Sequence, residues 1–188
     1  MIGPNEQGGL DMPDFQIINE ALKAVWVRRL SDSNGTASWS HIPLSYLQPV
    51  GGLFLLQCNF DLKLLKVDIP IDFYKEALCA WQKINRSTPI TKKQVLNEIV
   101  WNSHHIKIDG YSVYYKKWHE AGIAKIEDFF QRNRFLAFEE FCNKFEIKTN
   151  FLNYYGLCHA VPQKWIIFLK QFYWTFRKTF PEGKDIFG

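Results

Sequence analysis

Cys142, Cys158 and His159 carry zinc-binding side chains, and His104-His105 add two imidazoles. Structural zinc sites present their ligands in close pairs, so that one tight turn offers both to the same ion. None of the four cysteines forms a C-x-x-C pair, and the spacing fits no standard site. The other reading makes Cys142 and Cys158 small core residues on apolar helix faces. His104 and His105 open a stretch that alternates like a strand. Adjacent strand residues point to opposite faces, so the pair is expected to be exposed polar surface rather than a two-ligand clamp. No metal and no other cofactor is expected.

Other catalytic signatures are missing. Gly8-Gly9 and Gly51-Gly52 lack the lysine and the spacing of a phosphate loop. There is no G-x-S-x-G elbow and no H-E-x-x-H. No aspartate pair sits in the hydrophobic strand context that metal-dependent nucleotidyl transfer requires. The expectation is a chain that is not an enzyme.

Cations make a stronger pattern. Residues 1–82 hold 6 basic and 9 acidic side chains, and residues 83–188 hold 17 and 10. The net charges are −3 and +7, which give the overall +4. A phosphate backbone would meet the second half. The candidate contacts are Lys92, Lys93, Lys116, Lys117, Arg132, Arg134, Lys144 and Lys148. Tyr111, Tyr114 and Tyr115 stand beside Lys116-Lys117, where an aromatic–basic patch could hold a single strand. Solvated tyrosines would leave the same trace. Trp26, Trp81, Trp101 and Trp165 fall on helical apolar stripes and are read as core.

These residues need elements to place them. The 188 residues suit one domain or two small ones, and 47% apolar with 22% charged residues is globular composition. The first 13 residues read as a loop. Asp14 is placed as the cap of a helix over 15–31, packed through Phe15, Ile18, Leu22, Val25 and Trp26, with Arg28 and Arg29 in its last turn. Residues 32–70 read as irregular, with Leu53 to Leu56 compatible with a strand or a helical turn. A helix over 71–85 places Phe73, Ala77, Trp81 and Ile84 on one face.

Ser87-Thr88-Pro89 is the internal boundary, dividing a helical segment 1–87 from a basic helical segment 88–188. Thr91 and Gln94 match a capping box that starts a helix running to Trp101. Asp109-Gly110 predicts the turn of a small β-hairpin over 104–114. Helices are expected over 115–121, closed by Gly122, then over 124–131, 137–146 and 150–160, and from Pro162 to about 178. The fold class is therefore mainly α, bundle-like, with one hairpin and two subdomains. The pair of helices over 138–160 also has a helix-turn-helix outline, whose second member would lie against nucleic acid. It is equally the outline of any two packed helices.

No stretch reads as a membrane span or a secretory leader, so no membrane partner is expected. The sequons at Asn34 and Asn85 are read as chance matches. The expected compartment is intracellular, nucleus or cytoplasm, with reduced thiols.

One block is more specific. Gly8-Gly9-Leu10-Asp11-Met12-Pro13-Asp14-Phe15, followed by Ala21-Leu22-Lys23-Ala24-Val25-Trp26-Val27-Arg28-Arg29-Leu30, resembles the G-G-L-x-[LM]-P-D-F … A-x-K-x-x-W-x-x-R block. That block lies downstream of the polymerase core in reverse transcriptases of LINE-type non-LTR retrotransposons. Glu98 to Asn102, Ile106 to Tyr114, Asn150 to Leu157 and Ala160 to Trp165 are similar to the region after it. The resemblance covers about residues 2–170 and leaves Gln171–Gly188 unmatched.

The resemblance implies the thumb end and C-terminal segment of a polyprotein, which hold template RNA and target DNA near the active site. The polymerase domain of that polyprotein would be the other partner. The chain has no Tyr-x-Asp-Asp and no endonuclease residue set, so no catalytic residue carries over. The Cys/His cluster of some relatives has no counterpart in spacing here. Two alternatives to a non-catalytic RNA- or DNA-binding fragment stand beside it: a helical protein-interaction module, and a degenerate relic of an element.

Overall fold

Asp14 accepts a hydrogen bond from the Gln16 backbone N–H at 2.8 Å, closing the first turn of the first helix. In the computed structural model, residues 14–32, 36–131 and 133–170 are described. They belong to two compact units, Met1–Ser87 and Thr88–Gly188. The chain is mainly α: the described residues hold nine α-helices, several short 3-10 turns and two hairpins of two-residue strands.

In the first unit, helix α1 (Phe15–Asp32) lies against α3 (Asp72–Asn85), with the short α2 (His41–Leu47) between them in sequence. Residues 48–64 wind through 3-10 turns, which settles Leu53 to Leu56 as helical rather than extended. Gly51 and Gly52 take positive φ there, 101° and 61°, a region that penalises any side chain with a Cβ. The core gathers Val27, Leu30, Leu47, Leu55, Leu56, Phe60, Ala77 and Leu78. Two ion pairs of 2.6 Å, Lys23–Glu76 and Glu20–Lys83, join α1 to α3. The Trp81 indole donates to the Leu56 carbonyl at 2.9 Å.

The face expected to bury α1 is the wrong one. Ala24, Val27 and Leu30 are buried and Ile18 and Trp26 half-buried, whereas Phe15, Leu22 and Val25 are exposed. The helix carries two apolar stripes, and its neighbours took the one containing Ala24. In α3, likewise, Ala77 is buried and Trp81 half-buried, while Phe73 and Ile84 are exposed.

In the second unit, α4 (Lys92–Asn97) begins with the expected capping box: Thr91 Oγ1 accepts from Gln94 N at 3.2 Å, and Gln94 Oε1 from Thr91 N at 3.1 Å. It ends four residues short of Trp101. The backbone of 98–102 has other partners: Val100 N donates to Ala124 O, Ile126 N to Glu98 O, and Asn102 N to Val113 O. Trp101 is fully buried, its indole donating to Ile123 O at 2.6 Å.

The predicted hairpin is present, narrower than expected. Strand β1 (Lys107–Ile108) pairs antiparallel with β2 (Tyr111–Ser112). Asp109 and Gly110 both take positive φ, 53° and 82°, the requirement of a two-residue turn matched to strand twist. His104 and His105 lie outside the strands, in a turn, with ring centroids 3.8 Å apart, so the opposite-faces expectation fails with the strand it assumed.

Helix α5 (Lys116–Glu120) is closed by Gly122. The helix expected over 124–131 is cut to α6 (Ile126–Phe129), and a second hairpin follows, β3 (Phe130–Gln131) with β4 (Arg134–Phe135). Helices α7 (Phe138–Phe145), α8 (Phe151–Ala160) and α9 (Gln163–Lys170) complete the unit. Asn150 caps α8 by accepting from Leu152 N at 2.8 Å. The expected continuation of the last helix through Phe172, Tyr173 and Phe176 lies outside the described residues, as does most of the Gly8–Asp14 block.

An aromatic cluster fills this unit. Trp118 and Phe141 rings lie 5.1 Å apart, Phe129 and Phe141 stack at 5.1 Å, and Phe141 meets Tyr154 at 4.7 Å. Such pairs add about 0.5–1.5 kcal/mol each beyond area burial. Much of the aromatic content is thereby core.

Candidate nucleic-acid interface

The second unit, residues 88–188, holds 15 basic and 10 acidic side chains, a net of +5. What the eight candidate cations can offer a phosphate depends on which are already engaged.

Arg134 is committed. Its guanidinium makes two bonds to Glu140, at 2.7 and 2.8 Å, and a third to the Phe135 carbonyl at 3.1 Å. The hydrogen bonds it donates to Glu140 raise its pKa further, with the carboxylate's charge acting the same way. Lys144 donates to the Asp128 carbonyl at 3.2 Å and sits 4.7 Å over the Phe145 ring. Lys92, half-buried at the start of α4, donates to Asn133 Oδ1 at 3.2 Å. Lys116 lies 3.8 Å from Glu120 one turn on, both side chains exposed, an arrangement of small energetic weight. Arg132 lies outside the described residues.

Lys93, Lys117 and Lys148 are different. Each is exposed, and among the described residues their ammonium groups make no ion pair and no hydrogen bond. A single link joins the two segments that carry Lys117 and Lys148. The Trp118 indole donates to Thr149 Oγ1 at 3.2 Å, tying α5 to the joint before α8. Lys117 precedes the donor and Lys148 precedes the acceptor. The hydrogen bonds thus place Lys92 against Asn133 of the second hairpin's turn, next to Arg134, and join the segment of Lys116 and Lys117 to that of Lys148.

The tyrosine patch beside Lys116-Lys117 is largely used up. Tyr115 packs its ring edge-on against Trp101 and Trp118, and burial raises its pKa. Tyr114 donates to or accepts from His119 Nδ1 at 3.1 Å. Only Tyr111 of the three is exposed.

The sequence reading missed a different aromatic surface, on α8. Phe151 and Tyr155 stack with centroids 5.6 Å apart and an interplanar angle of 29°, and Tyr155 lies 4.1 Å from the His159 ring. All three are exposed. The opposite side of α8 is buried through Tyr154 and Leu157, and at Gly156 a Cβ would stand 3.5 Å from Ile108 of the hairpin, at ordinary contact distance. The available signal was charge: no Asp or Glu occurs from Ile147 to Lys170, a stretch that contains Lys148, Lys164 and Lys170. In the helix-turn-helix outline, α8 would be the reading helix, yet it carries no Lys or Arg.

Among the described residues no group of three or more His, Cys, Asp or Glu side chains could hold a metal ion. Cys158 is half-buried; burial pushes its thiol up to about 11, while a hydrogen bond from Tyr154 pulls the other way. No described helix is long and apolar enough to cross a membrane. The chain matches no family model, no curated protein and no solved structure.

Proposed function

We propose that the chain is a non-catalytic, nucleic-acid-binding segment of a LINE-type reverse transcriptase polyprotein, which meets RNA or DNA through its second unit. The observation that carries this reading is the trio of exposed, unengaged lysines, Lys93, Lys117 and Lys148, on a unit of net +5. Surface cations without carboxylate partners can displace the counterions condensed on a phosphate backbone, and that release drives binding. The motif blocks around Trp101, Asp109-Gly110 and Asn150 support the family assignment, because they coincide with the elements that position these lysines.

The test is a salt titration of binding to single-stranded RNA and to duplex DNA. Each phosphate contact contributes about 0.7–0.9 to the slope of log K against log[salt]. Lys117→Ala combined with Lys148→Ala lowers the slope by about two if both ammonium groups touch phosphates. No binding at low salt, or an unchanged slope in the double variant, overturns the reading.

One observation favours a polypeptide partner in addition. Phe15, Leu22 and Val25 form an exposed apolar stripe on α1, opposite its packed face. A helix apolar on both sides is normally covered on both. The polymerase domain of the parent polyprotein is the partner this reading assigns to the stripe, and co-purification of the two pieces tests it.

A further inference from the structure

Unpaired bases need flat, exposed rings in a setting free of negative charge. Stacking on aromatic side chains is tolerant of sequence, and single-strand binders pair such platforms with cations that follow the backbone. On α8, residues 151, 152, 155 and 159 fall within about 100° of arc at 3.6 residues per turn. They are Phe151, Leu152, Tyr155 and His159, with Phe151 51% and Tyr155 50% exposed although the opposite side of the same helix is core. The rings at i, i+4 and i+8, the first two stacked and the third tilted 42° to the second, make a ladder running along the helix axis. Phe138 contacts Phe151 edge-on at 5.4 Å and steadies its first rung.

Charge selects the occupant. The stretch from Ile147 to Lys170 contains Lys148 before the ladder and Lys164 and Lys170 after it, with no Asp or Glu between. A protein partner that covered an apolar helix face would need no such clearing of acids, whereas a phosphate chain crossing α8 would be repelled by each one.

We infer that the exposed face of α8 is a stacking platform for the unpaired bases of a single-stranded nucleic acid, with Phe151, Tyr155 and His159 as its rungs and Lys148 and Lys164 flanking the backbone. The inference rests on the nucleic-acid reading above and adds that the ligand is single-stranded and where its bases lie. Because the ladder face presents rings and no Arg, Lys, Asn or Gln to read base edges in a groove, a duplex gains nothing from this face.

The experiment is fluorescence anisotropy with labelled oligo(U), oligo(dT) and a duplex of equal length. It compares the wild-type chain with Tyr155→Leu, Tyr155→Phe, Phe151→Leu and the Lys117→Ala/Lys148→Ala double variant. The expected result is a loss of about tenfold or more in single-strand affinity for Tyr155→Leu and Phe151→Leu, since one base–ring stack is lost. Their salt slopes and duplex affinities stay at wild-type values, and Tyr155→Phe binds like wild type. If the leucine variants bind single strands normally while the lysine variant loses slope, the platform is overturned and the phosphate reading survives. Equal losses in Tyr155→Leu and Tyr155→Phe overturn it too, because the hydroxyl and not the ring would then matter. If the wild-type chain binds no nucleic acid at low salt, both readings fall, and the α8 face belongs to a polypeptide partner.

Discussion

The indole N–H of Trp118 and the hydroxyl of Thr149, 31 residues apart in sequence, form a 3.2 Å hydrogen bond that fixes where α5 stands relative to the start of α8. Trp118 is 5% exposed and touches Phe141, so its N–H has no easy alternative partner in water. A buried donor left without an acceptor costs about 1–3 kcal/mol. Thr149→Val removes the acceptor while keeping the shape, and its denaturation midpoint should fall accordingly. Thr149→Ser, which keeps the hydroxyl, should restore most of the loss.

Trp101 and Trp26 should respond unequally to truncation. Trp101 is wholly inside and bonded to Ile123 O. Trp101→Ala is expected to cost about 3–5 kcal/mol, the range for a large aromatic removed from a close-packed core. Trp26 is half-buried and stacks on Tyr74 with centroids 5.3 Å apart, so part of its surface is already in water. Trp26→Ala should cost clearly less. Denaturant unfolding followed by circular dichroism checks the order; equal losses would mean that Trp26 sits deeper than its exposure states.

The features that sequence alone made legible are the local ones. The Thr91–Gln94 box, the Asn150 cap and the Asp109-Gly110 turn each satisfy backbone groups within four residues, so a short window contains the whole cause. The premature end of α4 was not legible, because Val100 and Asn102 are bonded to Ala124 and Val113, far along the chain. The second hairpin escaped notice for a related reason. Its strands are two residues long and show no period, and its cue is Asn133 at φ 60°, a turn conformation that asparagine tolerates better than most residues. On α1 the period was correct and the face was not, since two apolar stripes answer the same test. The basic positions could be read as cations; the engagement of Arg134 with Glu140, Lys92 with Asn133 and Lys144 with Asp128 could not.

Acidification should weaken the second unit through His119. Partial burial lowers its pKa below the usual 6.5, with Glu120 opposing. The unfolded chain therefore binds this proton more readily than the folded one. Stability from this group is complete above the unfolded value of about 6.5 and is lost as pH falls toward the folded value. Thermal melts between pH 7.5 and pH 5 should show a decline that His119→Gln reduces. A variant with an undiminished decline would assign the effect to other groups.

Catalysis is expected to be absent. The purified chain, supplied with template RNA, primer, deoxynucleotides and Mg²⁺, should extend nothing, because among the described residues no group of three or more His, Cys, Asp or Glu side chains could hold the metal ions that nucleotidyl transfer uses. Extension abolished by a single Asp→Asn change would overturn the non-catalytic reading.

Arg134 and Lys117 should behave oppositely in nucleic-acid binding although both are exposed cations in the same unit. The Arg134 guanidinium is held in a fork by Glu140, whose Oε2 also accepts from Ala137 N at 2.7 Å at the start of α7. To reach a phosphate it would have to exchange one anion for another, with no net counterion release. Arg134→Ala should therefore leave the salt slope at its wild-type value. Lys117 has no such anion to surrender, and Lys117→Ala should lower the slope by about one. Glu140→Gln weakens the fork without removing the side chain that caps α7, and should raise both affinity and slope by freeing the guanidinium for phosphate. Salt titrations on one single-stranded oligonucleotide decide among these. A slope that falls in Arg134→Ala and does not rise in Glu140→Gln would show that the ion pair opens on binding, and would move the contact surface toward Lys92 and the second hairpin.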